Sequence, residues 1–382
     1  MPGNRRTRVL IVDDSAIVRK VLSEALAGEP DLEVVGTAPD PYVARDKILA
    51  LRPDVLTLDI EMPRMDGLTF LRKLMHFHPL PTVVISSLAQ PSARAAIQAM
   101  ELGAVEVLAK PAGPYSVGDL RNSLAAKVRA AACARLRRTA VSPPAPGKDP
   151  QIPLPPPQAP PAAFVPALSP SLAAAAVSPG RPARGLIAIG ASTGGTEAIA
   201  AVLSRVPQGS PPIVVTQHIP PVFSRAFANR LNELCAIEVR EAQDNDVLRP
   251  GLALVAPGDF HMLLRRVGDR YHVSVKTGPR VCYQRPSVDV LFSSVAETAG
   301  PGTVAVLLTG MGADGAQGML KLRQAGAHTI AQDEATCVVY GMPREAVRLG
   351  AAVQVLPLGS IAAAMLAPRA ASQAASLSAA GV

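Results

Sequence analysis

Fourteen of the chain's 38 prolines fall between residues 141 and 184, among runs of alanine and few charges. A stretch of that composition holds too little apolar surface to offset the entropy of ordering it, and each proline removes a backbone donor. The segment therefore belongs to no folded core and reads as a disordered or polyproline-like linker. It divides the 382 residues into two folding blocks, 1–135 and 185–367, joined by 136–184. An Ala/Ser-rich tail, 368–382, is expected to fray. No repeat at a solenoid period is present.

Hydrophobic residues make up 48% of the chain and charged ones 18%, enough apolar material for two cores. Tryptophan is absent and aromatics are 3%, so aliphatic side chains must fill those cores. No apolar run reaches the roughly 18 residues of a membrane span. The N-terminus, Met1-Pro2-Gly3-Asn4-Arg5-Arg6, leads into a strand without the apolar stretch of a secretion signal. The expectation is a cytoplasmic chain with no membrane insertion, its four scattered cysteines reduced; without a CxxC pair they do not have zinc-site spacing. Of the net charge of +8, +7 lies in 122–184, where eight basic side chains face Asp149 alone. That excess reads as a solvated helix end and linker rather than a folded nucleic-acid-binding face.

Both blocks alternate short aliphatic runs with helical patterns. In the first, Arg8–Val12, Glu33–Gly36, Val55–Leu58, Thr82–Ser86 and Ala104–Leu108 read as strands, and Ala16–Ala27 and Ser92–Leu102 as helices between them. Five strands with intervening crossovers predict an α/β, doubly wound parallel sheet. The second block opens likewise, with Leu186–Ile189, a Gly-rich turn, a helix, and Ile213–Thr216. Its middle, 238–275, holds several short strands that include candidate antiparallel pairs, and Thr303–Leu308 then Gly315–Ala325 return to strand and helix.

In the first block Asp13 and Asp14 follow the first strand, Asp59 the third, Ser86 the fourth and Lys110 the fifth. The carboxyl ends of parallel strands form the ligand crevice of an open sheet. Three carboxylates gathered there repel unless a hard cation sits among them, and Mg²⁺ prefers such oxygen ligands. One carboxylate is then placed to accept a phosphoryl group, with a hydroxyl and an ammonium to hold it. Any single Asp here is also a plausible helix N-cap; acid, acid, hydroxyl and ammonium at four strand ends is not explained that way. The block resembles the response-regulator receiver family. The resemblance implies a flavodoxin-like sheet of order 2-1-3-4-5 and Asp59 as phosphoacceptor. It further implies Asp13, Asp14 and Asp59 around Mg²⁺, Ser86 as switch hydroxyl, and Lys110 as phosphate partner. Met62-Pro63-Arg64-Met65-Asp66-Gly67 is similar to the family's loop after the phosphoacceptor, whereas Val107 stands where the family often has an aromatic switch residue.

In the second block Gly190-Ala191-Ser192-Thr193-Gly194-Gly195 lies between a strand and a helix. Glycines there permit a tight turn that projects a serine over the sheet edge, with helix-start N–H groups beside it. The same pattern also suits a phosphate-binding loop. A serine nucleophile needs a base, and His218 directly follows a neighbouring strand; His261, His272 and His328 are rivals, and His76 and His78 belong to the first block. An orienting acid is required too, and Asp314 stands in Thr309-Gly310-Met311-Gly312-Ala313-Asp314-Gly315 after an apolar strand. The order Ser, His, Asp differs from the Ser, acid, His order of α/β-hydrolases.

This motif set resembles the catalytic domain of the chemotaxis receptor methylesterases, which are also glutamine deamidases. Ala256-Pro257-Gly258-Asp259-Phe260-His261-Met262, Arg285-Pro286-Ser287-Val288-Asp289 and Tyr340-Gly341-Met342-Pro343 fit it as well. The resemblance implies a mostly parallel α/β domain with Ser192 as nucleophile, His218 as general base and Asp314 as its orienter. It implies the Met311 N–H as oxyanion donor with Thr193 assisting, and no cofactor for ester hydrolysis. The implied function is hydrolysis of glutamate γ-methyl esters, and deamidation of glutamines, on methyl-accepting chemoreceptors. A sensor histidine kinase is the implied phosphodonor, and the unphosphorylated receiver the implied cover of the active-site mouth. The chain is expected to be a monomer recruited to receptor arrays. The rival readings are a receiver-controlled esterase of another protein or small ester, and a DNA-binding output module, which no helix-turn-helix pattern supports.

Overall fold

The computed structural model describes residues 5–63, 65–110, 117–136 and 185–367, with 117–122 in backbone only. The expected linker at 136–184, beyond Leu136, and the tail lie outside the described residues, as does Arg64. The N-terminal half alternates β1 (Thr7–Val12), α1 (Ala16–Ala27), β2 (Leu32–Ala38), α2 (Pro41–Leu51), β3 (Val55–Asp59), α3 (Gly67–Phe77), β4 (Thr82–Ser86), α4 (Gln90–Glu101), β5 (Glu106–Ala109) and α5 (Val117–Ala132). Its five strands are parallel and run in the order β2-β1-β3-β4-β5. β3 and β4 are buried along their whole length, as strands covered by helices on both faces must be. Polar residues at strand ends start the helices: Ser15, Asp40 and Asp66 each accept from N–H groups of the first turn that follows.

β5 begins two residues later than the apolar run predicts. Gly103, at φ 103°, turns the chain out of α4, and the N–H of Ala104 closes back on the Ala99 carbonyl. That helix cap takes the backbone that a strand would need.

The C-terminal half builds a seven-stranded parallel sheet from β6 (Leu186–Ala191), α6 (Gly195–Leu203), β7 (Ile213–Gln217), α7 (Phe223–Leu234), β8 (Glu238–Glu241) and β9 (Leu252–Val255). A hairpin, β10 (His261–Val267) and β11 (Arg270–Lys276), interrupts it before α8 (Val288–Thr298), β12 (Thr303–Leu307), α9 (Ala316–Gln324), β13 (His328–Gln332), α10 (Met342–Arg348), β14 (Gln354–Leu356) and α11 (Leu358–Leu366). The order is β14-β13-β12-β6-β7-β9-β8, with β6 at the centre. The ambiguous middle thus resolves into two parallel strands, β9 beside β7 and β8 at the sheet edge, and one separate antiparallel pair.

The two halves belong to one compact unit. α4 packs on α6 and α7, and Arg230 of α7 pairs with Glu101 of α4 at 2.5 Å and with Glu197 of α6 at 2.7 Å. Beyond α5, the Arg135 N–H donates to the Val338 carbonyl at 2.9 Å and its guanidinium pairs with Glu334. Part of the basic cluster is therefore not solvated excess. Lys127 pairs with Glu106, Arg129 with Glu29 and Asp31, and Arg135 with Glu334. Among the described residues no helix is long and apolar enough to cross a membrane, and the four cysteines are free thiols.

Candidate functional site

The carboxyl ends of β1, β3 and β5 bring Asp13, Asp14, Asp59 and Lys110 together. Lys110 Nζ lies 2.7 Å from Asp59 Oδ2 and 3.3 Å from Asp13 Oδ2, the second contact outside hydrogen-bond alignment. The three aspartates each present an oxygen within 4.8 Å of the others, and Asp13 Oδ2 is buried without a hydrogen-bond partner. An all-carboxylate donor set with an unsatisfied oxygen fits a hard divalent cation. Burial pushes the Asp59 carboxyl up to about 6, the Lys110 hydrogen bond opposes this, and the nearby charge of Asp13 adds to it. Burial also raises Asp13. Ser86 ends β4 beside this group but donates its hydroxyl to the Ser92 carbonyl at 3.2 Å.

The second cluster forms where β7, β6 and β12 lie side by side. Register pairs Ala191 with Gln217, so Ser192 and His218 leave neighbouring strands at the same level. The His218 N–H donates to the Ala191 carbonyl at 3.1 Å, and the Ser192 N–H donates to the Thr309 carbonyl beyond β12 at 3.0 Å. Gly194, at φ 74°, ends the turn and starts α6 in a conformation that side-chain-bearing residues rarely adopt. Gln217 Nε2 donates to the Ser192 carbonyl at 2.8 Å and fixes the turn from beneath.

His218 Nε2 lies 2.7 Å from Asp314 Oδ2, both side chains almost fully buried. Nδ1 of His218 is buried with no hydrogen-bond partner among the described residues. Asp314 also accepts from Ser287 Oγ at 2.8 Å, the Val288 N–H at 2.7 Å and the Asp289 N–H at 3.0 Å. Burial alone would raise its carboxyl, but the bond and charge of His218 and these N–H donors hold it below the ordinary carboxylate value. The Met311 N–H, in the glycine-rich loop before Asp314, donates to no acceptor among the described residues. Thr193 is turned elsewhere: its hydroxyl donates to Glu106 of β5 at 2.8 Å.

The rival histidines are placed apart from this pair. His272 Nδ1 meets the Asn245 carbonyl, His328 Nε2 meets Gln354, and His76 and His78 sit at the end of α3. His261 has both ring nitrogens engaged, with the Pro279 carbonyl and the Ser287 N–H. Sequence reading assigned no role to Ser287, although a serine before an apolar helical run is a helix-start signal, and here it caps α8. Glu106 was also missed; a lone carboxylate in an aliphatic strand was its signal. Cys282 Sγ and the carboxylates of Asp289 and Asp314 also come within 4.8 Å of one another, but Asp314 already has four donors.

A cleft of about 640 Å³ opens beside Met311 and Gly312, walled by Tyr340 and Arg344 and by Cys133 and Arg135 from the N-terminal half.

Residues 187–365 match the CheB methylesterase family and residues 9–120 the response regulator receiver domain. A protein-glutamate methylesterase/protein-glutamine glutaminase of Syntrophus aciditrophicus (strain SB) is 53% identical, the match covering 94% of this chain and 97% of that protein. Another, from Anaeromyxobacter dehalogenans (strain 2CP-C), is 52% identical over 95% of each chain. The crystal structure of the Thermotoga maritima CheB methylesterase catalytic domain is 37% identical and covers 48% of this chain and 97% of its own, with a TM-score of 0.47.

Proposed function

This chain belongs to the protein-glutamate methylesterase/protein-glutamine glutaminase family, and we propose that it acts on chemoreceptors, through Ser192, His218 and Asp314, under control of phosphorylation at Asp59. The observation that carries this reading is the buried 2.7 Å bond from His218 to Asp314 beside the Ser192 turn. Asp314 engages Nε2, which leaves Nδ1 as the nitrogen that can take a proton from the serine.

In this mechanism Ser192 Oγ attacks the γ-carbonyl carbon of a methylated glutamate as His218 Nδ1 accepts its proton. The developing oxyanion is met by the Met311 N–H, which has no competing acceptor among the described residues. The carbonyl re-forms, methanol leaves with the proton from His218, and an acyl-serine remains. Water, activated by His218, then releases the glutamate and Ser192. With a glutamine substrate the first leaving group is ammonia. Because the triad members act as a unit, loss of Ser192 or of His218 alone is expected to cost about as much as loss of all three.

Asp13, Asp14 and Asp59 would hold a divalent cation, which when bound would supply neutralisation of charge on an incoming phosphoryl group. Asp59 accepts that group from a sensor histidine kinase, Lys110 pairs with it, and Ser86 turns from the Ser92 carbonyl to donate to it. The domain division is 1–135 and 185–367, with 136–184 between them. The reading makes the protein a cytoplasmic monomer working at receptor arrays. Gating is supported by the N-terminal half's share of the cleft wall and by Glu106, which holds the residue next to Ser192.

The test is methanol release from methylated receptor membranes. Ser192→Ala and His218→Ala should each lower it by about 10⁴-fold. Near-normal release by either variant contradicts the mechanism. Hydrolysis of p-nitrophenyl acetate with no release from receptor would keep the triad and overturn the substrate.

A further inference from the structure

Two segments that the triad does not use meet beside Asp314. Arg285 donates from Nε and Nη2 to Asp259 Oδ1, at 3.0 and 2.7 Å, and from Nη1 to the Gly278 carbonyl at 2.6 Å. The Asp259 N–H returns a bond to the Arg285 carbonyl at 3.1 Å. This clamp joins the loop before β10 to the segment that starts α8. Within it, His261 is almost fully buried. Its Nε2 lies 2.9 Å from the Pro279 carbonyl and its Nδ1 3.2 Å from the Ser287 N–H.

Those partners fix the ring chemically. A carbonyl only accepts and a backbone N–H only donates, so Nε2 carries the hydrogen and Nδ1 is the acceptor. Neither nitrogen is left to take a proton from a serine, which removes His261 as a rival general base. What Nδ1 does instead is anchor Ser287. Ser287, Val288 and Asp289 supply three of the four donors to Asp314, and the fourth is His218 itself.

We propose that His261 is a positioning residue for the reaction: it holds the Ser287 backbone so that residues 287–289 orient Asp314, and through it the His218 ring. This inference rests on the Ser192–His218–Asp314 reading. Its physical basis is that a base must be held within a fraction of an ångström of its productive position, and an orienting carboxylate is only as fixed as its own donors. The segment gives Asp314 two backbone donors and one hydroxyl, and the N–H at its start has His261 as its acceptor. Loss of that acceptor leaves a buried N–H unsatisfied and frees the segment to shift.

The test compares His261→Asn and His261→Gln in the full-length chain. Asparagine places an amide oxygen near the Nδ1 position and keeps an acceptor for Ser287, whereas glutamine keeps a donor toward Pro279 and loses that acceptor. The predicted kcat for methanol release falls about 10²-fold in the Gln variant and stays within about threefold in the Asn variant, with KM unchanged in both. The low-field proton resonance of the His218–Asp314 hydrogen bond should shift or broaden in the Gln variant and persist in the Asn variant. Equal kcat in both variants overturns the proposal, as does a change confined to KM, which would make His261 part of the substrate wall. Asp314→Asn is the control for the underlying reading. If it stays active, the triad itself is wrong. If it is inactive while His261→Gln is normal, the triad stands and His261 is not a positioning residue.

Discussion

Asp314 and Asp59 are both buried carboxylates, and their surroundings drive them in opposite directions. At Asp314 burial would raise the carboxyl, but His218 and the N–H groups of Asp289 and Val288 hold it below its ordinary value. It is therefore an anion throughout the neutral range, as the proposed role of orienting His218 requires. Replacement by asparagine should lower methanol release by about 10⁴-fold, because the amide presents the wrong hydrogen-bonding groups to the imidazole. At Asp59 burial wins, with the charge of Asp13 adding to it against the Lys110 bond, and the carboxyl rises to about 6. A raised folded-state value means that the native state holds the proton more tightly than the unfolded chain. The associated stability is full below the ordinary value of 3.8 and is lost as pH climbs through about 6. In EDTA at neutral pH, Asp59→Asn should therefore raise the thermal transition of the N-terminal half, and the advantage should disappear as the buffer is taken below the raised value. An advantage that persists unchanged in acid contradicts this. At the neighbouring switch position Val107 is small and fully packed, so the molecule holds no aromatic ring there to rotate.

Among the elements, what sequence made legible was periodic. Aliphatic runs bounded by helical patterns located β1, β3, β4, β6, β7 and β12, because parallel strands buried on both faces are nearly continuous in apolar residues. The acids, serine and histidine at their ends were legible for the same reason, since each directly follows such a run. The choice of His218 over His261 was less so, because it depends on which strand neighbours β6. Pairing of Ala191 with Gln217 decides it, and pairing across a sheet is not written in local periodicity. Ser287 and Glu106 escaped for a related reason: their partners lie 27 and 87 residues away. The loop before α9 shows how a turn carries the site. Gly315 has φ 89°, and a Cβ there would meet Val288 Cγ1 at 2.6 Å, next to a donor to Asp314. Gly315→Ala should destabilise the chain by about 1–3 kcal/mol in denaturant unfolding and reduce kcat as well. Stability and kcat both at the level of the unsubstituted chain would mean that the turn relaxes freely.

Across the whole molecule, the receiver reaches the Ser192 turn through one buried carboxylate. Glu106, paired with Lys127 at 2.8 Å, accepts the hydroxyl of Thr193, the residue beside Ser192. β5 carries Glu106 near one end and leads to Lys110 at the other, so a change at Asp59, the proposed phosphoacceptor, has a short route through Lys110 to this contact. Between the two halves, what Glu106→Ala removes is the charged acceptor of the Thr193 hydroxyl, a hydrogen bond worth about 1.5–3 kcal/mol to the docked arrangement. Glu106→Ala should raise the unphosphorylated rate several-fold and shrink the further gain on phosphorylation. An unchanged ratio of stimulated to basal rate would show that this contact plays no part in gating.

The most direct test of a receiver-gated serine esterase is methanol release from methylated receptor membranes, with Mg²⁺ and with or without a small phosphodonor. It is measured for the full-length chain, Asp59→Asn and Ser192→Ala side by side. Expected are stimulation by the phosphodonor in the unsubstituted chain, an unstimulated basal rate in Asp59→Asn, and no release above background in Ser192→Ala. Stimulation that survives Asp59→Asn, or release that survives Ser192→Ala, would contradict a receiver-gated serine esterase.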